Sequence, residues 1–258
     1  MDDLMEIAGK KFSSRLILGT GKYRSMDDMV NTVKVSGTEM ITIAIRRLDL
    51  DNPAEKTILD YLDWNKYQIL PNTAGCKTVD EALFVARLGR SVGRTNWVKL
   101  EVIPDPKYLF PDPTLTLKAA EQLVKEGFVV LPYINADPVL AKNLEEVGCA
   151  TVMPLGSAIG SGQGIHTVEE LRIIIEQARV PVIVDAGLGV PSDASQVMEL
   201  GASAVLVNTA IAQARQPELM GEAFKLGVKA GRQAFIAGRI EKKAYAQSSS
   251  PQDNVPKS

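Results

Sequence analysis

The sequence predicts a single-domain α/β protein of the (β/α)8 TIM barrel class. Eight short β-rich runs alternate with longer amphipathic segments along 258 residues. Most of these runs are apolar on both faces, as parallel strands covered by helices must be. No GxGxxG follows the first run, which removes the commonest open-sheet alternative.

The expected strands are residues 15–18, 40–45, 68–70, 97–103, 128–133, 151–153, 181–185 and 204–208, all rich in Val and Ile. Ser25-Met26-Asp27-Asp28 opens a helix with an N-cap and an acidic first turn. Thr167-Val168-Glu169-Glu170 opens another, in which a capping threonine is followed by Glu at the third helical position. Gly127, Gly148 and Gly201 each close a helical pattern just before a strand. The long connection between the second and third strands is expected to carry an extra helix over 54–62. The barrel is expected to span 1–246, and the Ser/Pro/Asn-rich tail 247–258 to be disordered.

Composition narrows the function classes. A chain with 45% apolar and 23% charged residues can build an ordinary globular core without staples. The formal charge of −2, with no clustered Lys/Arg segment, argues against nucleic acid and anionic membrane as partners. No apolar run approaches a membrane span, and the acidic start lacks the order of a signal peptide. Two cysteines, Cys76 and Cys149, suggest neither a disulfide framework nor a zinc site, so a reduced, cytoplasmic setting is expected.

The chemistry concentrates in one strand. In Trp97-Val98-Lys99-Leu100-Glu101-Val102-Ile103 the side chains alternate, so Val98, Leu100 and Val102 should face the helices. Lys99 and Glu101 then share the face that points to the barrel axis, where a charge is costly unless paired or used. A buried ion pair would add little net stability. A lysine that attacks a carbonyl to form an imine, with a carboxylate moving protons beside it, explains the placement better. Burial and Glu101 pull the lysine pKa in opposite directions, which leaves its resting charge open.

Asp185 ends the seventh strand just before Ala186-Gly187-Leu188-Gly189, at the face where a barrel keeps its active site. Pro191-Ser192-Asp193 supplies better starters for the next helix, which frees Asp185 for acid–base work or for orienting Lys99. Three loops offer backbone amides to an anion: 156–164 after the sixth strand, 187–189 after the seventh, and Asn208-Thr209-Ala210 after the eighth. Their convergence on one quadrant suggests a phosphorylated substrate. His166 is expected at the surface or at a helix start, and Cys76 as a small buried residue. Arg46-Arg47 has the chemistry to meet an acidic partner or a substrate carboxylate.

Several strings together make the chain resemble the bacterial thiazole synthase family, which forms the thiazole phosphate half of thiamin. They are Leu70-Pro71-Asn72-Thr73-Ala74-Gly75-Cys76 and residues 97–103, 152–165, 181–189 and 207–212. Where that family often has Gly after the Val-Ile of the lysine strand, this chain has Pro104. The resemblance implies 1-deoxy-D-xylulose 5-phosphate held as an imine on Lys99, with Glu101 and Asp185 shuttling protons. Its phosphate would rest on Gly160, Ala186-Gly187 and Asn208-Thr209. Sulfur would come from the C-terminal thiocarboxylate of a small sulfur-carrier protein, and the C–N unit from dehydroglycine made by a partner enzyme. The resemblance also implies a homotetramer and no metal or organic cofactor. Two other readings share part of this site: a Schiff-base aldolase on a sugar phosphate, and a non-catalytic barrel that only docks a sulfur carrier.

Overall fold

The computed structural model describes residues 3–47 and 58–249. Eight parallel strands form the barrel: β3 (Leu16–Gly19), β4 (Met40–Ala44), β5 (Gln68–Asn72), β6 (Trp97–Leu100), β7 (Val129–Ile134), β8 (Met153–Pro154), β9 (Ile183–Asp185) and β10 (Ala204–Val207). They pair in sequence order from β3 to β8, and β10 joins β3 to β9. Bridges from Val152 to Val182 and from Leu155 to Asp185 close the ring between β8 and β9. The predicted barrel is therefore the observed one.

Seven α-helices of nine or more residues surround it: α1 (Met26–Ser36), α2 (Val79–Gly93), α3 (Pro113–Lys125), α4 (Pro138–Glu146), α5 (Val168–Gln177), α6 (Pro191–Glu199) and α8 (Pro217–Ala237), with the short α7 (Thr209–Ala212) before the last. Ser25 caps α1 by accepting from Asp28 N at 3.1 Å, as its position predicts. Thr167 does not cap α5. Its hydroxyl donates to the carbonyl of Leu155 at 2.9 Å, so the end of β8 takes up the group that a capping box needs. Gly127, Gly148 and Gly201 all have the positive φ of a left-handed helix stop. Residues 54–57 of the extra helix expected over 54–62 lie outside the described residues. The following residues form a single 3-10 turn, Ile58–Asp60, and buried Leu62 joins the core. Of the tail, 247–249 is exposed and without regular structure, and 250–258 lies outside the described residues.

The barrel interior is a packed column rather than a pore. Ile17, Met40, Leu70, Trp97, Leu131, Met153, Ile183 and Leu206 meet on the axis. A hairpin absent from the sequence reading closes its lower end: β1 (Met5–Ile7) and β2 (Lys10–Phe12), antiparallel, turn through Ala8 and Gly9, both at positive φ. Three-residue strands and an Ala-Gly turn leave too weak a signal to find it by pattern. Met5, Ile7 and Phe12 plug the column, and the Phe12 ring meets Trp97 edge-on at 6.0 Å.

An ionic clamp fastens this plug. Asp3 Oδ1 lies 2.8 Å from Arg15 Nη2 and 2.7 Å from Arg232 Nη2 on α8. Arg15 also donates to the carbonyl of Ser203 at 2.7 Å. The hydrogen bond from Arg232, with help from Arg15, holds the Asp3 carboxyl down at about 2 despite partial burial.

Candidate active site

Strand alternation places Lys99 and Glu101 as the sequence predicts. Val98, Leu100 and Val102 join the outer core against the helices, whereas Trp97 points into the axial column. Lys99 and Glu101 lie on that inner face, each only 6% exposed. The ladder of β6 ends at Leu100, three residues earlier than expected. Beyond it, Thr73 substitutes for a strand partner: its hydroxyl accepts from Glu101 N at 2.7 Å and donates to Glu101 O at 2.8 Å. Thr73 therefore fixes the backbone that carries the second carboxylate.

Asp185, at the end of β9, comes across the ring to meet Lys99. The ammonium nitrogen stands 2.6 Å from Asp185 Oδ2 and 3.1 Å from Glu101 Oε1. Only the contact to Glu101 has the direction of a well-formed hydrogen bond; the shorter one is an ion pair off the bonding axis. Burial pulls the Lys99 ammonium towards neutrality, but Asp185 and Glu101 together outweigh it, and its pKa rises above the ordinary lysine value. The two carboxylates thus favour the charged form of the amine. Burial is the largest influence on Asp185 and pushes its carboxyl up against the pull of Lys99. The buried ammonium sits beside a carboxylate whose proton affinity burial has raised.

Tyr133 on β7 completes this layer. It is fully buried, its ring centroid lies 5.4 Å from Lys99 Nζ, and its hydroxyl has no hydrogen-bond partner. Burial raises its pKa, so the phenol stays neutral and offers the lysine a π face. No local sequence signal separates this tyrosine from an ordinary core residue.

Above the triad opens a cavity of about 1090 Å³ whose lining includes Lys99, Glu101 and Asp185 together with Gly160, Ala186, Gly187, Asn208 and Thr209. The predicted amine and the predicted anion loops thus share one chamber. The β8–α5 and β9–α6 loops are zipped together: Gly156 N donates to Ala186 O and Gly164 N to Gly187 O, at 3.2 and 2.9 Å. Gly187 has φ +86°, and a Cβ there would stand 2.1 Å from Ser157 Oγ. Only glycine permits this approach. Asp193 anchors the same loop by accepting from Gly189 N and Val190 N. Asn208, with its amide turned to satisfy both partners, donates to Gly21 O at 2.8 Å and Gly19 O at 3.3 Å, tying the end of β10 to the β3 loop.

His166, Cys76 and Arg46 are not among the residues that line this cavity. His166 is exposed. Cys76 is fully buried, and burial pushes its thiol up to about 11. Arg46 donates to Gly75 O at 2.8 Å and approaches Glu81 at 3.8 Å; the side chain of Arg47 lies outside the described residues. Among the described residues no group of three or more His, Cys, Asp or Glu could hold a metal ion. None of their helices is long and apolar enough to cross a membrane.

Fold and site together define a class: a (β/α)8 barrel whose C-terminal face holds a buried, doubly paired lysine beneath glycine-lined loops. Residues 6–251 match the family described as thiazole biosynthesis protein ThiG. The chain is 61% identical over 255 residues to the thiazole synthase of Prochlorococcus marinus (strain MIT 9215), covering 96% of each. It is 59% identical over 257 residues to the bifunctional protein ThiO/ThiG of Nostoc sp. (strain PCC 7120), covering 97% of this chain and 39% of that one. Among solved structures, that of the Amycolatopsis orientalis BexX/CysO complex superposes with a TM-score of 0.84 at 31% identity, over 93% of this chain and 98% of that one. The chain belongs to the thiazole synthase family, enzymes of thiamin biosynthesis.

Proposed function

We propose that this enzyme forms the thiazole phosphate moiety of thiamin from 1-deoxy-D-xylulose 5-phosphate, dehydroglycine and the thiocarboxylate of a small sulfur-carrier protein, through an imine on Lys99. The observation that carries this reading is the single chamber holding Lys99, both carboxylates and the three glycine loops.

The geometry supports a definite sequence of proton movements. Asp185, nearest to Lys99, takes the ammonium proton and frees the amine. The amine adds to the ketone; the carbinolamine oxygen leaves as water when the proton returns, and one C=O has become one C=N. Glu101 and Asp185 then shuttle protons between adjacent carbons, so that the ketone moves along the chain. Sulfur transfer from the thiocarboxylate, addition of dehydroglycine and cyclisation with loss of water follow. Gly160, Ala186-Gly187 and Asn208-Thr209 hold the phosphate throughout.

BexX was solved in a complex with CysO, which is compatible with this barrel docking a second molecule. Bifunctional ThiO/ThiG relatives link the same barrel to a second activity, consistent with an enzyme that supplies dehydroglycine. The working assembly in this reading is a homotetramer in the cytoplasm.

The test is to incubate the protein with 1-deoxy-D-xylulose 5-phosphate, reduce with borohydride and map the adduct by mass spectrometry. An adduct on Lys99 is expected. No adduct, or one on another lysine, overturns the reading. Turnover without a thiocarboxylated carrier would instead identify an aldolase.

A further inference from the structure

Resting on the phosphate site of the proposed function, we propose that Lys22 is the cation that binds the substrate phosphate and discriminates phosphorylated from unphosphorylated ketoses. The loops at that site contribute backbone amides, which carry only partial charges. A phosphate monoester brings about −1.5 to −2 charges at pH 7. Lys99 cannot balance it, because it already faces two carboxylates and the buried triad is itself net negative. The chamber therefore needs another positive group on its phosphate side.

Among the described residues three other cations line it: Lys22, Arg24 and Lys77. Arg24 is spent on the chain after α7, donating to Ala214 O at 2.6 Å and Arg215 O at 3.2 Å. Lys77 belongs to the loop after β5, two strands from β3 on the side away from β10. Lys22 stands in the loop after β3, the strand beside β10. Among the described residues it has no ion-pair or hydrogen-bond partner.

Its amine is aimed at the phosphate loops. A Cβ built on Gly160 would stand 3.7 Å from Lys22 Nζ and 3.6 Å from Thr209 Oγ1. Lysine, loop 156–164 and the start of α7 thus converge on one point. The backbone of Lys22 adopts φ +70°, a left-handed conformation that costs about 1 kcal/mol or more for a residue with a side chain. Its neighbours impose it: Asn208 holds Gly21 O, and Thr20 Oγ1 donates to Thr42 O at 2.8 Å. Pinned on both sides, the loop presents an amine that is not spent on a partner among the described residues.

The test compares the wild type with Lys22→Gly, which tolerates positive φ and removes the amine, and with Lys22→Arg, which keeps the charge. Calorimetric titration with inorganic phosphate should show binding weakened about tenfold or more in Lys22→Gly, the loss expected of one charge-assisted hydrogen bond. Lys22→Arg should retain most of the affinity, and added salt should weaken the wild type more than Lys22→Gly. In turnover, Lys22→Gly should raise KM for the phosphorylated ketose far more than it lowers kcat. Imine trapping of the same ketose without its phosphate should be unchanged. Equal phosphate affinity in wild type and Lys22→Gly, absence of phosphate binding in both, or equal losses with both ketoses would overturn the assignment. If the wild type binds phosphate yet forms no imine, the proposed reaction fails and the titration alone decides the role of Lys22.

Discussion

The barrel carries two ionic clusters, one at each end, built from the same kinds of residue with opposite outcomes. At the lower end one carboxylate, Asp3, is shared by two guanidiniums, Arg15 buried and Arg232 partly exposed, and its pKa falls to about 2. At the upper end one ammonium, Lys99, is shared by two buried carboxylates, and Asp185 is pushed up rather than down. The lower cluster is more relaxed: solvent helps to carry the surplus positive charge and Asp3 and Arg232 gain by being ionised, although burial and Arg232 lower the pKa of Arg15. The upper one is tense, because burial leaves a surplus negative charge that a proton would relieve. Stoichiometry and burial separate a clamp from the site proposed for proton transfer. Conservation of fold at the lower face and chemistry at the upper face is the usual division of labour in a barrel.

The comparison breaks most sharply at Lys99. Lys99→Arg keeps the positive charge between the carboxylates but cannot form an imine; turnover should fall about 10³-fold or more, with no borohydride-trapped adduct. Persistence of the adduct would mean that the reacting amine lies elsewhere.

Asp185→Asn tests whether the tension serves function. Turnover should fall about 10²–10⁴-fold, because the nearest proton acceptor is gone. Because burial raises the Asp185 pKa, its ionisation costs stability as pH rises from the unfolded value towards the folded one. Removing that charge should leave the melting temperature at pH 7 unchanged or higher. A large loss of stability would show that the upper cluster is a clamp as well.

Gly187→Ala attacks the joint between the two loops proposed to hold the phosphate. Strain at φ +86° and the collision with Ser157 should cost about 2–3 kcal/mol in denaturant unfolding. Phosphate binding should weaken with it, whereas Gly9→Ala, which meets open space in the lower hairpin, should leave phosphate binding intact.

The smallest effect is expected at the lower clamp. Asp3 is partly exposed, so Asp3→Asn should cost only about 1 kcal/mol at pH 7, with kcat unchanged. The lowered Asp3 pKa contributes stability above the unfolded value of 3.8 that is lost as pH falls towards about 2. Urea unfolding at pH 7 and pH 3 should show that loss in the wild type and a smaller one in Asp3→Asn.

The feature most legible in the chain was local: period-two alternation set Lys99 and Glu101 on one face and the valines on the other, because that rule needs no knowledge of the rest of the fold. The strand-end position of Asp185 and the glycines of the three loops were readable for the same reason. Tertiary structure alone decided which carboxylate lies nearer the amine, since Asp185 reaches it only through closure of the ring between β8 and β9. It also decided that Thr167 serves a strand end instead of a helix cap, that Thr73 holds Glu101, that Tyr133 backs the amine, and that Lys22 aims at Gly160. Each of these contacts joins residues far apart in sequence, where spacing carries no information. The charge of Lys99 belongs to the same group. Composition supplied the lysine, but the distances to two buried carboxylates set the balance between burial and attraction.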